Sequence, residues 1–145
     1  MNFRQIPLLV KQADTRLENA EGHGLERLVK RMYAERSRLG FGSFGLTRMV
    51  QGWGDRNDTE LDFVAEDADN RVVRLGSCKW NPSKLLSDLS QFDGHVGRFI
   101  AANHRYERWS TKIVAIAPEF NGPQRAKVEQ AGYIAEDLGD LMQGL

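Results

Sequence analysis

Thr59-Glu60-Leu61-Asp62-Phe63-Val64-Ala65 and Arg71-Val72-Val73-Arg74-Leu75-Gly76-Ser77-Cys78-Lys79-Trp80 are two β-prone runs. The polar, turn-forming Glu66-Asp67-Ala68-Asp69-Asn70 joins them, and together they predict an antiparallel hairpin. Successive side chains point to opposite faces of a strand. Glu60 and Asp62 therefore share one face of the first run, and Ser77 and Lys79 share one face of the second. Pairing around the acidic turn brings Asp62 near the Ser77/Lys79 end. A carboxylate and an ammonium group crowded at a strand end outline a site for a metal ion and a water. The same residues also fit a structural ion pair between Asp62 and Lys79, with Glu60 solvated.

Working outward, Leu25, Leu28, Val29 and Met32 recur at helical spacing and predict a helix over roughly 15–38, its other face filled by Arg, Lys and Glu. Gly22 and Gly24 weaken its start, and Pro7 discourages a regular helix in the lead-in over 1–14. Glu26 lies at the edge of the apolar stripe, where a carboxylate either meets solvent or faces the end of a sheet. Gly40-Phe41-Gly42-Ser43-Phe44-Gly45 matches a G-x-G-x-x-G pattern but follows a helix and leads into a strand, the reverse of a dinucleotide site. It reads as a helix cap and turn whose phenylalanines pack on the core. The sequence holds no G-x-x-x-x-G-K-[ST] phosphate loop.

Leu46–Trp53 reads as the first strand, followed by a loop and then the hairpin. Asn81-Pro82-Ser83 opens a helix over Pro82–Asn103 with Asn81 or Ser83 as cap, and Leu85, Leu86, Leu89, Phe92, Val96, Phe99 and Ile100 form its buried stripe. Thr111–Ala117 is a nearly continuous apolar run, as expected of a strand covered on both faces. A helix over Gly122–Ala131, a short strand at Tyr133-Ile134-Ala135 and a helical turn over Asp137–Met142 complete the chain. The order is α-β-β-β-α-β-α-β, a mixed central sheet flanked by helices.

The chain has 145 residues, zero formal net charge and one cysteine. That length suits a single domain able to bury about two-thirds of its unfolded surface. A lone cysteine excludes an internal disulfide and suits a reducing cytoplasm. No apolar run approaches the roughly 20 residues that span a bilayer, and the Ile6–Val10 run is too short for a signal-peptide core. Zero net charge gives no global basic signature for nucleic acid. The charge is nonetheless uneven: residues 1–50 carry nine basic against five acidic side chains, and 51–100 carry six against nine. A basic first third beside an acidic centre suits a metal site flanked by phosphate contacts, and equally an ordinary solvated surface.

Three segments resemble the PD-(D/E)XK nuclease-like superfamily, most closely the nuclease-like domain appended to a group of prokaryotic P-loop ATPases. Gly24-Leu25-Glu26-Arg27-Leu28-Val29 is similar to the acid-bearing first-helix motif, and Glu60-Leu61-Asp62-Phe63-Val64-Ala65 to the E-[IL]-D strand. Leu75-Gly76-Ser77-Cys78-Lys79-Trp80 resembles the G-E-C-K-W segment. The likeness runs from roughly Glu18 to Met142. It implies a restriction-endonuclease-like αβββαβ(αβ) core over residues 1–145, alone or as the C-terminal part of a longer ATPase. It also implies Mg²⁺- or Mn²⁺-dependent hydrolysis of DNA phosphodiesters. By this resemblance Asp62 is the principal metal ligand, with Glu26 a second and Glu60 a substitute, and Lys79 orients the attacking water or stabilises developing charge. Basic residues of the first helix and the Arg48/Arg56 region would hold the DNA backbone.

One departure bears on all of this. The family pattern has glutamate two residues before the lysine, and here Ser77 stands there. A neutral hydroxyl replaces an anionic oxygen that Mg²⁺ prefers, so metal binding is expected to weaken. The resemblance then implies either an active nuclease or a degenerate relative. The alternative is a non-catalytic module that binds nucleic acid or docks an ATPase. Cys78 and Trp80 point to the opposite face from Ser77 and Lys79 and read as core residues.

Overall fold

The computed structural model describes residues 23–55 and 58–145, with the backbone alone at His23, Gln51, Asp55 and Asp58 to Glu60. The expected lead-in over 1–14 and the helix start over 15–22 lie outside the described residues. From there the element order follows the expected one. Helix α1 (His23–Arg38) precedes strands β1 (Arg48–Asp55), β2 (Asp58–Asp67) and β3 (Val72–Cys78). Helix α2 (Pro82–Ala102), β4 (Ser110–Ile116), α3 (Gly122–Gln130), β5 (Ile134–Glu136) and α4 (Leu138–Met142) follow, with a 3₁₀ turn at His104–Tyr106.

The described strands form one sheet in the order β1-β2-β3-β4-β5. Both β1 with β2 and β2 with β3 pair antiparallel, as short connections allow, whereas β3 with β4 and β4 with β5 are parallel and joined through α2 and α3. The result is an α/β architecture with a mixed sheet flanked by helices.

Side-chain alternation assigns the two faces. Leu25, Val29, Met32 and Tyr33 of α1 are buried against Phe63, Ala65, Cys78, Val114 and Ile116, with α4 contributing Leu138 and Leu141. On the other face, Phe99 of α2 and Tyr106 pack on Leu61, Val64, Val73 and Leu75. Leu85 and Phe92 join Ala115, Ala117, Val128 and Tyr133 there. Each fully buried Leu or Val contributes about 1.5–3 kcal/mol. The second half of β4, Val114 to Ile116, is buried on both faces, which accounts for its apolar residues, while Ser110 and Lys112 in the first half are exposed.

Most boundaries follow local chemistry. Helix α1 runs through Gly24 and ends at Gly40, whose φ of 68° is left-handed, with the Phe41 amide returning to the Arg36 carbonyl at 2.9 Å. β1 starts two residues later than expected because the Leu46 amide is taken by Ser37 Oγ at 3.0 Å. Asn81 caps α2 by accepting the Ser83 amide at 2.9 Å. Tyr133 stays outside β5 because its amide donates to the Val128 carbonyl at the end of α3, at 3.2 Å.

Two expectations need correction. Glu66 and Asp67, read as part of a polar turn, extend β2 and are 1% and 2% exposed. Partners distant in sequence allow this: Arg105 and Tyr106 meet the Glu66 carboxylate, and Asp67 accepts from the Gly45 amide at 3.0 Å and Asn70 Nδ2 at 2.9 Å. The turn proper closes at Arg71, a non-glycine residue with φ of 53°. Of the two loop phenylalanines, only Phe44 packs on the core; Phe41 is largely exposed and lies beneath the Arg36 guanidinium, 4.7 Å from ring centroid to Cζ.

Candidate functional site

The ladder between β2 and β3 runs from the Asp67–Val72 pair to the Phe63–Gly76 pair. Gly76 is needed at that last rung because a Cβ there would lie 1.9 Å from Phe63 Cε1. The Phe63 ring occupies the space above the Gly76 backbone. Asp62 is the next residue beyond this rung, and its carboxylate accepts the Cys78 N–H at 2.7 Å and lies 3.5 Å from the Ser77 hydroxyl. A side chain thus takes the amide that the neighbouring strand leaves unclaimed.

Three elements converge on Asp62. Ser77 and Cys78 come from β3, and Lys79, directly after it, acts on Asp62 through its positive charge. Glu26, in the first turn of α1, lies close enough to the Asp62 carboxyl to lower its pKa. Asp62 and Lys79 therefore lie near one another at one end of the sheet. Glu60 precedes them on β2, and its side chain lies outside the described residues, as does Arg56. Arg48 is exposed on the edge strand β1.

The electrostatics follow from this crowding. Burial raises the pKa of Asp62, opposed by the Cys78 amide, the Lys79 charge, Glu26 and Ser77. The Cys78 thiol is pushed well up by burial and by the negative charges of Asp62 and Glu26. It sits among the core residues beneath α1, as does half-buried Trp80, matching the sequence reading.

The donor set available to a cation is two carboxylates and a hydroxyl. Among the described residues no group of three or more His, Cys, Asp or Glu side chains is placed to hold a metal ion. Mg²⁺ is commonly held by one or two carboxylates supplemented by waters and substrate phosphates.

Sequence reasoning missed two polar clusters. In one, Tyr106 donates to buried Glu66 while Arg105 Nε meets the same carboxylate at 3.1 Å, and burial with that hydrogen bond pushes the Tyr106 phenol up to about 12. Continuing the alternation of Val64 by two residues would have placed Glu66 on the face that Tyr106 covers. In the other, Tyr33 donates to Glu136, Arg74 Nη1 reaches Tyr33 Oη at 3.2 Å, and Arg74 pairs with Glu136 at 3.6 Å. No local pattern signals that one.

Among the described residues no helix is long and apolar enough to cross a membrane. Comparison with protein-family models, curated proteins and solved structures gives no match.

Proposed function

We propose that the chain is a PD-(D/E)XK nuclease-like domain that holds a divalent cation, Mg²⁺ or Mn²⁺, through Glu26 and Asp62 and hydrolyses DNA phosphodiesters beside it. The observation that carries this reading is the Asp62 carboxylate held by the Cys78 amide at 2.7 Å beside the Ser77 hydroxyl, with Glu26 of α1 and Lys79, directly after β3, both acting on it. The αβββαβαβ order and the mixed sheet with β3 at its centre support a restriction-endonuclease-like topology.

Each residue has a task that its surroundings favour. The Cys78 amide fixes the orientation of the Asp62 carboxylate, and the Phe63–Gly76 wedge fixes the strand position from which Asp62 projects. Lys79 holds the attacking water or the charge that develops on the phosphate. A bound cation would supply polarisation of the scissile phosphate and a lowered pKa for its water. The decisive test incubates purified chain with Mg²⁺ or Mn²⁺ and plasmid or single-stranded DNA. Cleavage should require metal and disappear in Asp62→Ala and Lys79→Ala; cleavage surviving both substitutions refutes the site.

A second reading is favoured by Ser77, whose hydroxyl faces Asp62 where the family carries glutamate. It is a domain that keeps the cleft but binds nucleic acid, or docks an ATPase, without cutting. That reading predicts salt-dependent DNA binding with no cleavage, and metal binding that emerges only in Ser77→Glu.

A further inference from the structure

On the opposite face of β3 from Ser77 lies a pocket of about 170 Å³ lined by Tyr33, Arg36, Phe41, Ser43, Phe44, Arg74 and Glu136, among others. Two guanidinium groups and one carboxylate line it, a net charge of +1. The carboxylate is already engaged, because Glu136 receives the Tyr33 hydroxyl and pairs with Arg74. Burial and the nearby Glu136 charge push the Tyr33 phenol far up, so at neutral pH it remains a donor.

Arg74 is under-satisfied. Its Nη1 reaches Tyr33, its guanidinium lies 4.5 Å from the Phe44 ring centroid, and its Nε is buried with no hydrogen-bond partner among the described residues. A buried donor without a partner is costly, and native structures keep few of them. Arg36 is held at the pocket wall by donating to the Asp140 carbonyl at 2.7 Å and by stacking on Phe41. Both guanidiniums are thus oriented by aromatic rings, leaving positive charge in excess over the single, occupied carboxylate.

We infer that this pocket binds the oxyanion of a small phosphate- or carboxylate-bearing ligand, with Arg36 and Arg74 as its charged contacts and the Tyr33–Glu136 pair fixing Arg74. The site is separate from the Asp62 site, since none of Glu26, Asp62, Ser77 and Lys79 lines the pocket. It does not depend on the nuclease reading.

The test is titration of the full chain with inorganic phosphate, and separately with acetate, at constant ionic strength set by chloride. Calorimetry and thermal melting report binding. Saturable binding is expected for at least one oxyanion, and the arm that responds identifies the head group. Arg36→Gln should weaken it about tenfold or more, the loss of one charge-assisted contact. Arg74→Lys, which retains the charge but not the fork, should do the same, and its melting curve reports whether it folds. Exposed Arg108→Gln serves as the control and should bind as the parent chain does. No saturable response to either anion, or equal binding in parent and Arg36→Gln, overturns the inference. DNA cleavage is read independently, so failure here leaves the Asp62 site standing and the reverse also holds.

Discussion

Substituting Gly76 by alanine inserts a single methyl group at the rung that supports the cleft, and its consequence can be worked from the coordinates. The new Cβ would fall 1.9, 2.0 and 2.5 Å from Phe63 Cε1, Cζ and Cδ1. Carbon atoms rest at about 3.5–4.0 Å, so the ring must retreat by more than an ångström. It cannot do so freely: Phe63 is 2% exposed and packs against Tyr33 with ring centroids 5.6 Å apart. Overpacking of this kind costs about 1–3 kcal/mol. For a domain of this size each kcal/mol lowers Tm by about 2–4 °C, so a fall of about 2–12 °C is expected by calorimetry. A second effect reaches the site. Asp62 and Ser77 flank the displaced rung, so DNA cleavage or metal affinity should fall even well below the new Tm. Gly76→Ala combined with Phe63→Leu should recover part of the lost stability, since the smaller side chain vacates the contested space. An unchanged Tm for Gly76→Ala would refute the wedge. Equal losses in the single and double variants would show that the cost arises elsewhere than the Phe63 ring.

Other expectations follow from the polar groups. Because burial raises the pKa of Asp62, the folded state binds that proton more tightly than the unfolded chain does. Its stabilising effect is complete below the unfolded value of about 3.9 and is lost as pH rises through the raised folded value. Asp62→Asn should therefore raise the metal-free Tm at pH 7 and lose that advantage in acid; a lower Tm at pH 7 contradicts the desolvation account. Glu66→Ala strands the Tyr106 hydroxyl and removes the Arg105 partner, so urea unfolding should show a loss of about 3 kcal/mol. Glu107→Ala, which removes the exposed His104 pair, should stay within about 0.5 kcal/mol, and comparable losses in the two variants would be evidence against the buried cluster. Cys78 should resist a thiol-modifying reagent in the native chain and react once unfolded, and rapid native labelling would contradict its burial.

The amino-acid sequence determined the succession of helices and strands, the hairpin, the apolar faces of α1 and α2 and the doubly covered second half of β4. Each of these is written in periodicity and turn chemistry over a few neighbouring residues. Strand parity placed Cys78 with Trp80 in the core. Tertiary structure decided what depends on partners far along the chain. Glu66 could enter the interior only because Arg105 and Tyr106, 39 and 40 positions away, return to meet it. Glu26 could join Asp62 only once α1 had docked on the sheet. Arg74 found Glu136 and Phe44 by the same folding of distant segments. A buried charge is tolerated only beside a matching group, and that match becomes visible when the chain closes on itself.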